Sequence, residues 1–201
     1  MTWTAPRTWV TDEVVTSSLM NTHVRDNELA LYHPLALETA DRDVASTASE
    51  LSLWSTTAGG VTVPAGAMGT NGVVLVRLVG DYLWNNNLAD TVTVRVKFGG
   101  STVLSAWSDV PSGGSLSASR FAWDLAVCVC NRGATNAQVV QSVMNVDIGV
   151  NVYDTGTRVR IATSAVNTTV AQTLDVTAQW SAASAGNSIK KFWAQMLLGQ
   201  N

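Results

Sequence analysis

A chain of 201 residues with only 13% charged side chains and a formal net charge of −3 suits one sizeable domain plus an appendage, long enough to bury a core without disulfide staples. With a pI near 5.2 it offers no basic face for phosphate contacts, which argues against a nucleic-acid partner. It has no apolar run long enough for a membrane span and no signal-peptide pattern at its start, so synthesis in the cytosol is expected.

From Met1 to Val15 the chain carries Trp3 and Trp9 beside Pro6 and Arg7, in a segment too short to form a core of its own. Those tryptophans need either a partner surface or a fold-back onto the same chain. Thr16 reads as a helix N-cap with Ser17 and Ser18 in the first turn, and Leu19, Met20, Val24 and Leu31 as apolar members of the helix. Pro34 ends that helix near Tyr32, because proline disfavours helical geometry in the residue before it. Met20, Val24, Asn27 and Leu31 fall on a heptad seam with one polar member, which suits either self-association or an amphipathic helix packed on a neighbour.

The stretch WVTDEVVTSSLMNTHVRDNELAL, through Trp9, Glu13, Val15, Thr16, Asn21, Thr22, Val24, Arg25, Asp26, Asn27, Ala30 and Leu31, resembles a segment at the start of many tailed-bacteriophage virion proteins. It departs from them at Asp12, where glycine is usual, at Ser17 for alanine, and at Glu28 where an apolar residue is frequent. The resemblance implies a virion component made in the host cytoplasm. Residues 1–38 are then the arm and helix that attach it to other virion proteins, with Trp3, Trp9, Leu19, Met20 and Val24 as the anchors.

The polar, aperiodic TADRDVASTAS over 39–49 reads as a linker, and a β domain is expected over 50–201. Short strands are predicted around Leu51 to Ser55 and at Val61-Thr62-Val63. The runs Val73 to Val79, Thr91 to Phe98 and Ser101 to Trp107, joined by Asn85-Asn86-Asn87 and by Gly99-Gly100, read as a β-meander. Arg120 to Asn131 alternates large apolar with small residues, and further strands are predicted at Ala137 to Tyr153 (interrupted near Asp147), Thr157 to Thr163, Gln172 to Trp180 and Ser188 to Leu198. So many strands with no intervening helix predict a mainly β protein, an antiparallel jelly-roll sandwich preceded by one short N-terminal α-helix. LDVTAQWSAASAGNSIKKFWAQMLL resembles the last hairpin of jelly rolls of the tumour-necrosis-factor-like type, and that resemblance implies a homotrimer.

Catalytic chemistry is not legible. Cys128 and Cys130 share one strand face and read as small apolar residues, while the histidines, His23 and His33, lie far off in sequence, so no metal and no cofactor is expected. Asp81, Asp90, Asp109, Asp124, Asp147, Asp154 and Asp175 look scattered over strand ends, and nothing selects the carboxylate pair that a glycosidase needs. The expectation is therefore not an enzyme but a structural virion component, a fibre, spike or decoration protein of tail or head. The alternative is a receptor- or glycan-binding module of a phage tail, for which Trp84, beside the asparagine turn, is the candidate glycan contact.

Overall fold

The computed structural model describes residues 12, 14–21, 34–55, 59–109, 116–147 and 155–199. Helix α1 spans Ser17–Met20, and Thr16 caps it as predicted: its hydroxyl oxygen accepts from the Leu19 N–H at 3.2 Å. The rest of the predicted helix, with Val24, Asn27 and Leu31, lies outside the described residues, as do Trp3 and Trp9.

Among the described residues twelve strands follow: β1 (Pro34–Glu38), β2 (Arg42–Ala45), β3 (Leu51–Ser52), β4 (Val61–Val63), β5 (Val73–Trp84), β6 (Val92–Phe98), β7 (Ser101–Asp109), β8 (Ser117–Asn131), β9 (Gln138–Asp147), β10 (Thr155–Ser164), β11 (Gln172–Trp180) and β12 (Asn187–Gly199). They form two antiparallel sheets. The larger has seven strands in the order β1-β12-β5-β8-β9-β10, with β2 also on β12; the smaller has five, β3-β11-β6-β7, with β4 also on β11. The chain passes repeatedly from one sheet to the other, so the protein is a β-sandwich with jelly-roll connectivity.

That connectivity corrects the reading of residues 71–105 as a meander. β5 belongs to the larger sheet and β6 and β7 to the smaller, so the asparagine turn bridges two layers. Only Gly99-Gly100 makes the expected hairpin, with φ of 60° and 81° at the two positions that need a left-handed backbone. The linker predicted over 39–49 is corrected too. β1 and β2 pair with β12 through Glu38↔Ala194 and Val44↔Ile189, so the sandwich takes in residues assigned to the arm and linker.

Period-two alternation builds the core. Val92, Val94, Val96 and Phe98 of β6 are fully buried and face Val74, Val76, Leu78 and Tyr82 of β5 and Leu125, Val127 and Val129 of β8. Each large apolar side chain so buried contributes on the order of 1.5–3 kcal/mol. Tyr82 anchors one end, its ring edge-on to Trp107 with centroids 5.4 Å apart and tilted on Phe121 at 5.6 Å. Its hydroxyl donates to the Asp147 carbonyl at 2.5 Å.

In β12 the alternation slips at a bulge between Lys191 and Trp193. Ile189 and Lys191 point inward before it, and Ala194, Met196 and Leu198 after it, while Phe192 is turned out.

Candidate functional site

A concavity lies on the outer side of the smaller sheet. Leu174, Val176, Ala178 and Trp180 of β11 enter the core, which turns Asp175, Thr177 and Gln179 outward. On β6 the same rule exposes Thr93, Arg95 and Lys97, and the register sets Asp175 opposite Lys97 and Thr177 opposite Arg95. On the other edge of β11, β3 pairs only with Thr177 and Ala178, and β4 only with Gln172 to Leu174. Between them a lone backbone bond, Leu53 N–H to the Val176 carbonyl at 2.8 Å, continues the edge.

At that interruption a cleft of about 440 Å³ opens, lined by Arg42, Glu50, Leu51, Ser52, Trp54, Ser55, Gly59, Lys97, Asp175 and Thr177. The volume is in the usual range for small-molecule sites. Gly60 makes the close packing possible. A Cβ there would sit 2.6 Å from both the Leu174 carbonyl oxygen and the Asp175 Cβ, and its φ of 97° is one that side chains rarely adopt.

The two carboxylates of the cleft are pushed in opposite directions. Burial alone would raise the pKa of Glu50, but the Thr177 hydroxyl (2.6 Å), Lys97 (3.2 Å) and Arg95 (3.6 Å) outweigh it and hold Glu50 below its ordinary value. For Asp175 burial wins, and its pKa is raised despite the Ser52 hydroxyl at 2.7 Å, the Val176 N–H and the attraction of Lys97. Arg42 spends only its Nε, on the Ser52 carbonyl at 3.1 Å; among the described residues its guanidinium has no acidic partner. The remaining wall is fixed from below. Ser55 donates its N–H (2.7 Å) and hydroxyl (2.8 Å) to Glu38, whose carboxylate also takes the buried Lys191 ammonium at 2.9 Å.

The residues singled out from sequence lie elsewhere. Trp84 is corrected: β5 runs to residue 84 instead of stopping at Val79, and alternation carries the indole to the inner face beside Tyr82, where it is 0% exposed and unable to stack on a sugar. Trp54, Trp107, Trp123 and Trp180 are buried as well. Of the attachment residues, Leu19 is half-buried and Met20 is exposed, while Trp3, Trp9 and Val24 lie outside the described residues. Cys128 and Cys130 do share a face, the outer one of the larger sheet, with sulfurs 3.1 Å apart. Burial, and next the Cys130 thiol, push Cys128 up to about 12, so it stays a thiol at neutral pH.

Reading the sequence missed Arg42, Glu50, Ser52, Lys97 and Thr177, which come from four separate stretches of chain. The one available signal was Asp175 itself, a carboxylate inside QTLDVTAQW and not at a strand end. Asp81 and Asp124 are likewise mid-strand, Asp81 bound to Arg120 at 2.6 Å. Among the described residues no group of three or more His, Cys, Asp or Glu is placed to hold a metal ion, and no helix is long and apolar enough to cross a membrane.

No family model and no curated protein matches the chain. Among solved structures it is similar to the CBM2 module of the evolved Dit of Lactobacillus casei BL23 phage J-1, at 14% identity and a TM-score of 0.31 over 68% of this chain and 66% of that one. It is also similar to an engineered GH43 glycoside hydrolase, at 11% identity and a TM-score of 0.33 over 74% of this chain and 34% of that one. A third is a seed lectin of Lotus tetragonolobus, at 8% identity and a TM-score of 0.32 over 75% and 78%. Likeness this distant carries no role across.

Proposed function

We propose that the chain is a non-enzymatic structural component of a tailed-phage virion, a fibre, spike or decoration protein that associates with copies of itself and attaches through its N-terminal arm. The virion part of this reading rests on the segment from Trp9 to Leu31, and the observation that supports self-association is the outer face of the larger sheet. Register aligns Leu197, Leu75, Cys128, Gln141 and Ile161 in one row across it. The next row holds Leu37, Gln195, Arg77, Ala126, Val143 and Val159, with Arg77 as the only charge in either row. Leu37 is 56% exposed, Leu75 45%, Val159 49% and Ile161 68%, so the face offers apolar area that a monomer leaves in water. Burying it against other copies removes that area, with Arg77 already paired to Asp124 of the adjoining row, and three copies is the count implied by the jelly-roll resemblance. Sedimentation equilibrium of the full chain should return a trimer at micromolar concentration, and a monomer there sinks the reading.

Attachment is assigned to residues 1–33, with Trp3, Trp9, Leu19, Met20 and Val24 as anchors, because interface energy concentrates in a few aromatic and apolar side chains. Trp9→Ala should weaken attachment by about 2 kcal/mol or more, measured as occupancy in assembled particles. Unchanged occupancy would move attachment to the sandwich.

A second reading, a receptor- or glycan-binding module, is favoured by the cleft. Its lining mixes hydroxyls, carboxylates and cations within one small-molecule-sized recess.

A further inference from the structure

We infer that the cleft binds an acidic saccharide, a polyhydroxylated ligand carrying a carboxylate or phosphate, with Arg42 and Lys97 holding the anionic group and Asp175, Thr177 and Ser52 meeting its hydroxyls. This rests on the glycan-binding reading and adds to it the ligand class and the residues that select it.

The charge inventory points to an anion. Arg42, Lys97 and the adjoining Arg95 bring three cations to a region whose carboxylates are Glu50 and Asp175. Glu50 is spent on Lys97, Arg95 and the Thr177 hydroxyl, and Asp175 on the Ser52 hydroxyl. The uncommitted donors are the guanidinium nitrogens of Arg42 other than Nε and the remaining N–H groups of Lys97, which is 29% exposed. A planar guanidinium with free N–H groups matches the paired oxygens of a carboxylate or phosphate.

The rest of the lining argues against a bare anion. A bare anion would occupy Arg42 and Lys97 and leave the remaining acceptor capacity of Asp175, Thr177 and Ser52 unmet, whereas the hydroxyls of a sugar can donate to it. A neutral sugar in turn leaves Arg42 without a counter-charge in a partly enclosed recess, which costs free energy. Only a ligand with both an anionic group and hydroxyls answers both halves of the lining. Burial also favours the protonated form of Asp175, which would make the recess still more welcoming to an anion as pH falls. Hydrolysis is not assigned, because the cleft's second carboxylate, Glu50, is held by Lys97 and Arg95 and is not free to act as acid or base.

The test is isothermal titration of the full-length protein with three ligands of matched size: an oligouronate, a sugar-phosphate oligomer and a neutral oligosaccharide. At least one acidic ligand should bind, weaken as salt is raised, and lose tenfold or more in affinity with Arg42→Gln. Lys97→Met should weaken it too, while Arg132→Gln, on an exposed loop, should not. Arg42→Lys, which keeps the charge and loses the fork, should fall between wild type and Arg42→Gln, and it replaces Arg42→Gln if that variant melts early. Which acidic ligand binds separates uronate from phosphate chemistry. Equal binding of the neutral sugar, with no effect of Arg42→Gln, overturns the acidic class but leaves glycan binding standing. Acidic binding that survives both cleft variants overturns the site. No binding of any saccharide overturns the glycan reading itself, and release of reducing ends overturns its non-enzymatic character.

Discussion

Lys191 is 0% exposed, and its ammonium reaches the Glu38 carboxylate at 2.9 Å and the Ala40 carbonyl at 2.7 Å. Removing one member of such a pair strands the other charge away from water, so Lys191→Met should cost roughly 3–5 kcal/mol in urea unfolding. Combining it with Glu38→Gln should recover most of that loss, and a double variant no better than the single would refute the pairing as the cause. Asp175 gives a second residue-scale prediction. Folding raises its pKa above 3.8, so the folded chain holds the proton more tightly and the group's contribution to stability is lost as pH rises through the folded pKa. Asp175→Asn should therefore be more stable than wild type at pH 7, with the gap closing as pH falls to about 3.8. A gap that does not change with pH sinks this. Glu50, whose pKa folding lowers from 4.5, works the other way, its contribution fading as pH falls through the folded pKa. At Asp12 the sequence was informative in a different sense: φ is 64°, the left-handed region where glycine is at home, which gives a physical reason for the glycine usual at that place in the resembling segments.

Among the elements, β5 to β12 were largely legible because Val, Thr and aromatic residues alternate or run between glycine and asparagine turns. β11 was read with its observed bounds. β1 and β2 were not. For β2, within TADRDVASTAS, the one large apolar residue is Val44, fully buried, and a short strand with a single inward residue has no period to detect. The bulge in β12 hid the inward role of Lys191, since the alternation inferred from Met196 and Leu198 puts residue 191 on the outer face. A prediction follows for these strands. Deleting residues 1–33 should leave the melting temperature nearly unchanged. Deleting 1–45 removes Glu38, Val44 and the Val44 carbonyl that accepts from the Trp180 indole at 3.2 Å, and should give an unfolded or aggregated product by circular dichroism. Equal stability of the two truncations would return residues 34–45 to the arm.

For the molecule as a whole, fold class was legible and the cleft was not. Strand number, turn spacing and the lack of helices limit the architecture to a sandwich or barrel, whereas a recess assembled from β2, β3, β6 and β11 depends on which strands become neighbours. Surface character divides between the sheets in the same way. The smaller sheet carries Arg95, Lys97, Thr177 and Gln179 on its outer face, with Thr177 covered there, and the larger turns out Leu75, Val159 and Ile161. Ile161→Lys, at the most exposed of these apolar positions, should shift sedimentation toward monomer without lowering the unfolding free energy of the sandwich by more than about 0.5 kcal/mol. An unaltered oligomer would take self-association away from that face.

The strand order also bears on how the chain comes into being during synthesis. β12 lies between β1 and β5, and β11 lies between β3 and β6, so a strand made late sits in the interior of each layer. While a ribosome is still decoding residues 172–199, β1, β5, β3 and β6 hold open hydrogen-bonding edges with nothing to close them. A nascent polypeptide carries those slots unfilled until residues 172–199 emerge, and only then can β11 and β12 enter them, as two keystones.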